Sequence, residues 1–199
     1  MVHESSKPFV DRSIARIARS PMVFDVGGGE RFGKWLKEYK GLFAACDYRT
    51  FDYDASTGAD VVGDIQAIPL PEHSIDAIIC SSVLEHVRDP LAAMRELTRI
   101  LKPGGQIFLY VPSIYPYHSR PGHYPDLWRF FDDTIRQLFE GYSHIEMEKR
   151  GGYFFALSFF VPLQHRLRFL LNPLARSLDY LLRTDRRTTT AGYYVYGIK

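Results

Sequence analysis

"FDVGGGERFG", residues 24–33, decides how this chain is read. An apolar run and an acid, "PMVFDV" (21–26), lead into three consecutive glycines. "RFGKWLKEY" after them has the apolar spacing of a helix, closed by Gly41. Glycine lets backbone approach a ligand where a Cβ would collide, so strand, glycines and helix predict a nucleotide-binding turn. A dinucleotide turn G-x-G-x-x-G needs glycine at 27, 29 and 32, and position 32 is Phe. No Gly-Lys-Ser/Thr closes the turn as a phosphate loop requires. Asp25 beside the glycines would repel a pyrophosphate but suits a ligand carrying an ammonium and a sulfonium.

Working outward, "KPFVDRSIARIAR" (7–19) has helical spacing, with Ile14, Ile17 and Ala18 on one side and Arg12, Arg16 and Arg19 elsewhere. "GLFAACD" (41–47), "ADVVGDI" (59–65), "SIDAIICSSV" (74–83) and "QIFLYVPS" (106–113) read as strands, the first two closing on acids. Asp89 and Pro90 start the helix "LAAMRELTRIL", and "KPGG" (102–105) turns it into the next strand. "DDTIRQLFEGY" reads as a helix capped by Asp132, and "SHIEMEKR" and "GYYVYGIK" alternate like strands. Between those two lies a largely helical insertion broken by Pro162 and Pro173. Apolar strands alternating with helices predict an α/β, doubly wound, mostly parallel sheet covered on both faces.

Ligands of such sheets collect beyond the carboxyl ends of the strands. The glycine turn and the acids closing the next two strands should therefore share one crevice. Asp47 follows at the spacing of a carboxylate that grips ribose hydroxyls, Asp64 is placed to accept from an adenine amino group, and Ile65 to lie against the ring. The turn thus argues for S-adenosylmethionine.

"VFDVGGGE", "CDYR", "VVGDIQAIPLPEHSIDAIICSSVLEHVRDP" and "ELTRILKPGGQIFLYVPS" resemble the class I S-adenosylmethionine-dependent methyltransferases. Within that class the resemblance is to the small-molecule type related to ubiquinone- and menaquinone-pathway methylases, and it spans roughly residues 20–113. It implies a Rossmann-like, seven-stranded sheet with an antiparallel last strand. It also implies that Asp25, Gly27 and Gly29, with Gly28 between them, form the methionine-side loop. Asp47 would hold the ribose, Tyr48 flank the adenine, Asp64 and Ile65 bind its edge, and Ser81 lie near the methionine. The chain departs from the pattern at Arg31, where a third glycine is usual. "HSRPGHYPDLWRF" (118–130) is similar to a segment of bacterial family members associated with polysaccharide or glycolipid pathways.

Methyl transfer needs proximity and alignment, with a base only if the acceptor must lose a proton. The acceptor side falls on "SSVLEHVRD" and on the loop 112–131. His118 and His123 are the base candidates there, with His86 a further one, since imidazoles accept protons near neutral pH. Asp126, Trp128 and Arg129 are expected to pin the loop, and no metal site is expected.

Length and composition fit one domain over 1–199 with the insertion at 153–183. The net charge of +2 gives no footprint for nucleic acid, and no base-methylating motif is present. Cys46 and Cys80 read as core thiols within strands, and the chain as reduced and cytoplasmic. The expected acceptor is a small or lipid-linked molecule, an oxygen of a sugar type. Residues 153–183, with His165, Arg166 and Arg168, are read either as a cover for the acceptor cleft or dimer surface, or as a peripheral membrane contact. "RTDRRTTT" (183–190) adds a basic loop. The rivals to an enzyme are a donor-binding domain without catalysis and a membrane-peripheral interaction protein.

Overall fold

The computed structural model describes residues 6–184 and 189–199, so the middle of the basic loop expected at 183–190 lies outside the described residues, as does the side chain of His165. Seven strands form one sheet: β1 (Met22–Val26), β2 (Asp47–Asp52), β3 (Val61–Val62), β4 (Ile75–Ser81), β5 (Leu101–Pro112), β6 (His144–Lys149) and β7 (Gly192–Ile198). Their order is β3-β2-β1-β4-β5-β7-β6. The pairs from β3 to β5 are parallel, and β7 runs antiparallel to both β5 and β6. The chain order reverses between β1 and β4, so a crevice opens beyond their carboxyl ends.

Two cores follow from the period of two along each strand. Phe24, Val26, Ile78, Cys80, Ile107 and Leu109 face α2 (Pro90–Ile100) and α3 (Asp132–Leu138). Val23, Ala77, Ile79 and Phe108 face α1 (Lys7–Ile17) and a 3₁₀ helix, Lys34–Phe43. Asp89 caps α2 by accepting from the Ala92 amide at 2.9 Å. The insertion is α4 (Tyr153–Ser158) and α5 (Gln164–Leu181), with Pro162 in the break and Pro173 inside α5.

Several local expectations are corrected. The segment 41–47 is not the second strand: it finishes the 3₁₀ helix, and β2 begins at Asp47. Its sequence "DYRTFD" alternates exposed Asp47 and Arg49 with buried Tyr48 and Thr50, a half-buried pattern masked by the more apolar run before it. Cys46 is accordingly half-buried in a turn, while Cys80 is buried in β4. The helix read at 31–39 is 3₁₀ in form. Asp132 is the first residue of α3 and its carboxylate accepts from the Tyr193 hydroxyl, so it does not cap that helix.

Candidate active site

Beyond the carboxyl ends of β1, β2 and β4 lies a cavity of about 950 Å³. Gly27, Gly28 and Gly29 line it together with Asp64 and Ile65. The Gly27 amide donates to the Phe51 carbonyl at 2.8 Å, which ties the turn to the end of β2. Gly27 and Gly29 have φ of +71° and +55°, a region that costs other residues strain. A Cβ on Gly27 would stand 2.3 Å from Val83, and one on Gly28 only 2.1 Å from the Asp25 carboxylate. The turn is a cradle that side chains would fill.

Three donor-side expectations are moved. Asp47 sits at the opposite end of β2 from the cavity, where its carboxylate pairs with Arg49 at 2.7 Å. The acid that closes β2 into the cavity is Asp52, whose Oδ1 accepts from the Asp54 amide at 3.0 Å while Oδ2 faces Gly29. Tyr48 is buried in the core, donating to Asp25 Oδ2 at 2.6 Å, and does not line the cavity. Burial and the Asp25 charge push its hydroxyl far above the ordinary phenol range. Asp25 itself is 3% exposed and supports the glycine turn from behind. Ser81 faces a side pocket of about 190 Å³, next to Tyr110 and Arg150, and its neighbour Ser82 reaches the main cavity.

Arg31 points away from the cavity and grips Asp60 with Nη2 at 2.8 Å from both carboxylate oxygens. Phe32 instead anchors the turn, stacked on Tyr48 at 4.1 Å between centroids. Exposed ion pairs contribute little, so Arg31→Ala should change donor affinity by less than about twofold in titration calorimetry. A large loss would show that Arg31 shapes the pocket.

Glu85, His86, His118 and His123 line the same cavity. Asp126 fixes this loop: Arg129 donates to its two oxygens at 2.6 and 2.8 Å, and the His118 amide at 2.8 Å. The Arg129 guanidinium holds the Asp126 carboxyl down to about 2. Trp128 Nε1 donates to the Val87 carbonyl at 2.8 Å, and the Leu127 amide to that of Glu85. The pinning role expected of these three residues is thus visible as hydrogen bonds. His118 Nε2 and His86 Nε2 approach the same oxygen, Glu85 Oε1, at 3.7 and 3.8 Å. Glu85 is 1% exposed and neither carboxylate oxygen has a hydrogen-bond partner. Its charge raises the His118 pKa above the ordinary imidazole value, although burial opposes this. His123 is half exposed, 3.6 Å from Asp54. The three imidazoles therefore do share one cavity, but only two converge on the buried acid.

Arg150, just past β6, lines the cavity too, donating to the Tyr110 hydroxyl at 2.6 Å. Nothing in "EKRGG" marks it. Asp52 was legible as a second acid closing "TFD", once the strand is placed correctly.

Residues 24–109 match the family profile described as "Methyltransferase domain". A curated relative, an uncharacterized 37.1 kDa transposon TN4556 protein of Streptomyces fradiae, is 41% identical over 142 residues, covering 66% of this chain and 38% of its own. A probable S-adenosylmethionine-dependent methyltransferase of Mycolicibacterium smegmatis is 26% identical over 160 residues, covering 65% of this chain and 60% of its own. This chain therefore spans less than two thirds of the length of either relative. Among solved structures, an Archaeoglobus fulgidus SAM-dependent methyltransferase has a TM-score of 0.64 at 17% identity, covering 98% of this chain and 94% of its own. That likeness extends the shared fold over the β6–β7 region as well. Residues 24–109, built around the glycine cradle, thus match the methyltransferase-domain family profile, within a sheet that has the fold of S-adenosylmethionine-dependent methyltransferases.

Proposed function

We propose that this chain methylates a hydroxyl oxygen of a small acceptor of sugar type, free or lipid-linked. One observation carries the reading: the glycine cradle and the buried Glu85 with its two histidines line one cavity. The donor, when bound, supplies a methyl carbon activated by a positive sulfur. Gly27–Gly29 hold its methionine end by backbone approach. Asp52 accepts from the ribose hydroxyls in the role expected of Asp47, and Asp64 and Ile65 hold the adenine. On the acceptor side, Glu85 and His118 receive the hydroxyl proton as the oxygen becomes nucleophilic. Tyr115 and Tyr124, in the same wall, offer ring faces for a sugar.

The lipid-linked form draws support from α4 and α5. Leu163, Phe169, Leu170, Leu174 and Leu181 are exposed, and the single acid of 153–183, Asp179, is buried. Exposed Arg166 and Arg168 would meet anionic headgroups. Among the described residues no helix is long and apolar enough to cross a membrane.

Titration calorimetry with S-adenosylmethionine, followed by labelled-donor assays on aqueous and lipid extracts, tests the reading. Asp52→Ala should weaken donor binding about tenfold or more, the scale of a charge-assisted hydrogen-bond pair. No donor binding by the unaltered chain would overturn the enzyme reading. Binding with no methylated product in either extract would leave a donor-binding domain instead.

A further inference from the structure

Tautomers at the acceptor end are fixed by their surroundings. His86 Nδ1 faces the Pro125 carbonyl oxygen, which only accepts, so Nδ1 carries the hydrogen. His118 Nδ1 lies 3.1 Å from the Pro116 carbonyl oxygen and 3.2 Å from Asp126 Oδ2, both acceptors, so the same holds there. Both Nε2 atoms then present lone pairs, and both face Glu85 Oε1, itself a lone-pair donor. With both imidazoles neutral, three electron-pair donors converge with no hydrogen among them. Such an arrangement is repulsive unless a positive species stands in the middle.

From this geometry we infer that Glu85, His86 and His118 form a binding site for a first-row divalent cation of the Mn²⁺, Co²⁺ or Zn²⁺ type. The donor set is two imidazoles and one carboxylate, which such ions favour and which leaves positions open to a further ligand. Each imidazole already gives its second nitrogen to a backbone carbonyl, the arrangement that orients metal-bound histidines. All three ligand atoms lie within 4.8 Å of one another. Ligands at about 2.1 Å around a tetrahedral ion stand roughly 3.4 Å apart. The two Glu85–histidine separations therefore need to close by only a few tenths of an ångström. The cation also answers a question the protein side chains leave open, a carboxylate 1% exposed without a hydrogen-bond partner.

The open positions face the cavity, so an acceptor hydroxyl would occupy one of them. With an ion bound, Glu85 and His118 serve as its ligands in place of their role as base. Coordination then lowers the cost of the hydroxyl's losing its proton, which passes to water. The oxygen then forms its bond to the methyl carbon as the carbon–sulfur bond breaks, leaving a neutral thioether. Ion binding stands without the methyl-transfer reading; only this use of the ion rests on it.

The test is Co²⁺ titration of chelator-treated protein, followed by its visible absorption band and by calorimetry. One equivalent should bind to the unaltered chain. Glu85→Gln and His118→Ala should each weaken Co²⁺ at least about tenfold, while His123→Ala, in the same cavity, should leave it unchanged. Donor binding by each variant serves as the check that it has folded. No Co²⁺ binding by the unaltered protein, or equal binding by Glu85→Gln, would overturn the site. So would imidazole NMR signals showing a doubly protonated His118 that added Zn²⁺ does not move, since a proton would then fill the gap. Cobalt binding without donor binding would instead sink the proposed function and leave the ion site standing.

Discussion

Gly28→Ala is expected to lower donor affinity at least about a hundredfold while leaving the sheet folded. The new Cβ would stand 2.1 Å from Asp25 Oδ2 and 2.6 Å from its carboxyl carbon, distances that real structures do not tolerate. Asp25 has little room to withdraw. It is 3% exposed and its Oδ2 accepts from the Tyr48 hydroxyl at 2.6 Å. Tyr48 is in turn held between Phe32, stacked at 4.1 Å, and the edge of Phe43 at 5.1 Å. The chain is left with one way out, displacement of the glycine turn into the cavity. Overpacking of this kind costs about 1–3 kcal/mol in a core, and a shift of the turn also removes the backbone approach to the donor. A hundredfold loss corresponds to about 2.7 kcal/mol. Calorimetry measures the affinity and circular dichroism the fold. Donor binding within threefold of the unaltered protein would show that Asp25 yields and that the cradle is softer than its packing implies.

The second large effect is expected at Asp179, far from the cavity in sequence. Its carboxylate is 4% exposed and sits at the N-terminus of α4. It accepts from the amides of Gly152, Phe154 and Phe155 at 3.2, 2.8 and 3.0 Å, and from the Thr184 hydroxyl. One side chain of α5 thus satisfies the orphan donors that begin α4. Asp179→Ala strands those amides in a buried place, at about 1–3 kcal/mol for each group that water does not reach. The expected total is about 2–4 kcal/mol, read as a lower thermal midpoint and as fast amide exchange over 152–158. Asp179→Asn keeps one acceptor oxygen and should lose less than half as much. An unchanged midpoint for Asp179→Ala would mean that α4 is held by its apolar contacts alone, chiefly Phe155 and Ala156 against Ala175.

The glycine turn, the alternation of strands with helices and the donor class were legible because they are local. "DVGGGE" demands a turn without Cβ atoms, and the apolar strands beyond it demand a sheet covered on both faces. Asp47 shows where local reading fails. "GLFAAC" is more apolar than "DYRTFD", yet the sheet takes the second, since Tyr48 and Thr50 bury one face and Phe51 the other. That displacement of the strand moved the acid from Asp52 to Asp47. His86 and His118 were each visible as imidazoles near the acceptor, but their meeting at Glu85 depends on how the 112–131 loop folds back. That path is set by Arg129 reaching the Tyr115 and Pro116 carbonyls at 3.0 Å, a contact with no sequence period. Arg150 was invisible for the same reason: its neighbours, Tyr110 and Tyr115, come from another strand and another loop.

The place of β7 bears on how the chain is born. Gly192–Ile198 lies between β5 and β6 and pairs with both along its length, so the edge strand β6 has no other partner in the sheet. A nascent chain that has emerged only as far as residue 190 can assemble β1 to β5, which are all encoded earlier, yet β6 must wait unpaired. Such a strand is an adhesive edge, and its exposure lasts until the ribosome has released seven more residues of pairing partner. A pause that leaves the chain emerged only to about residue 190 would therefore yield a species with a nearly finished donor half and a sticky flank, a natural client for chaperones.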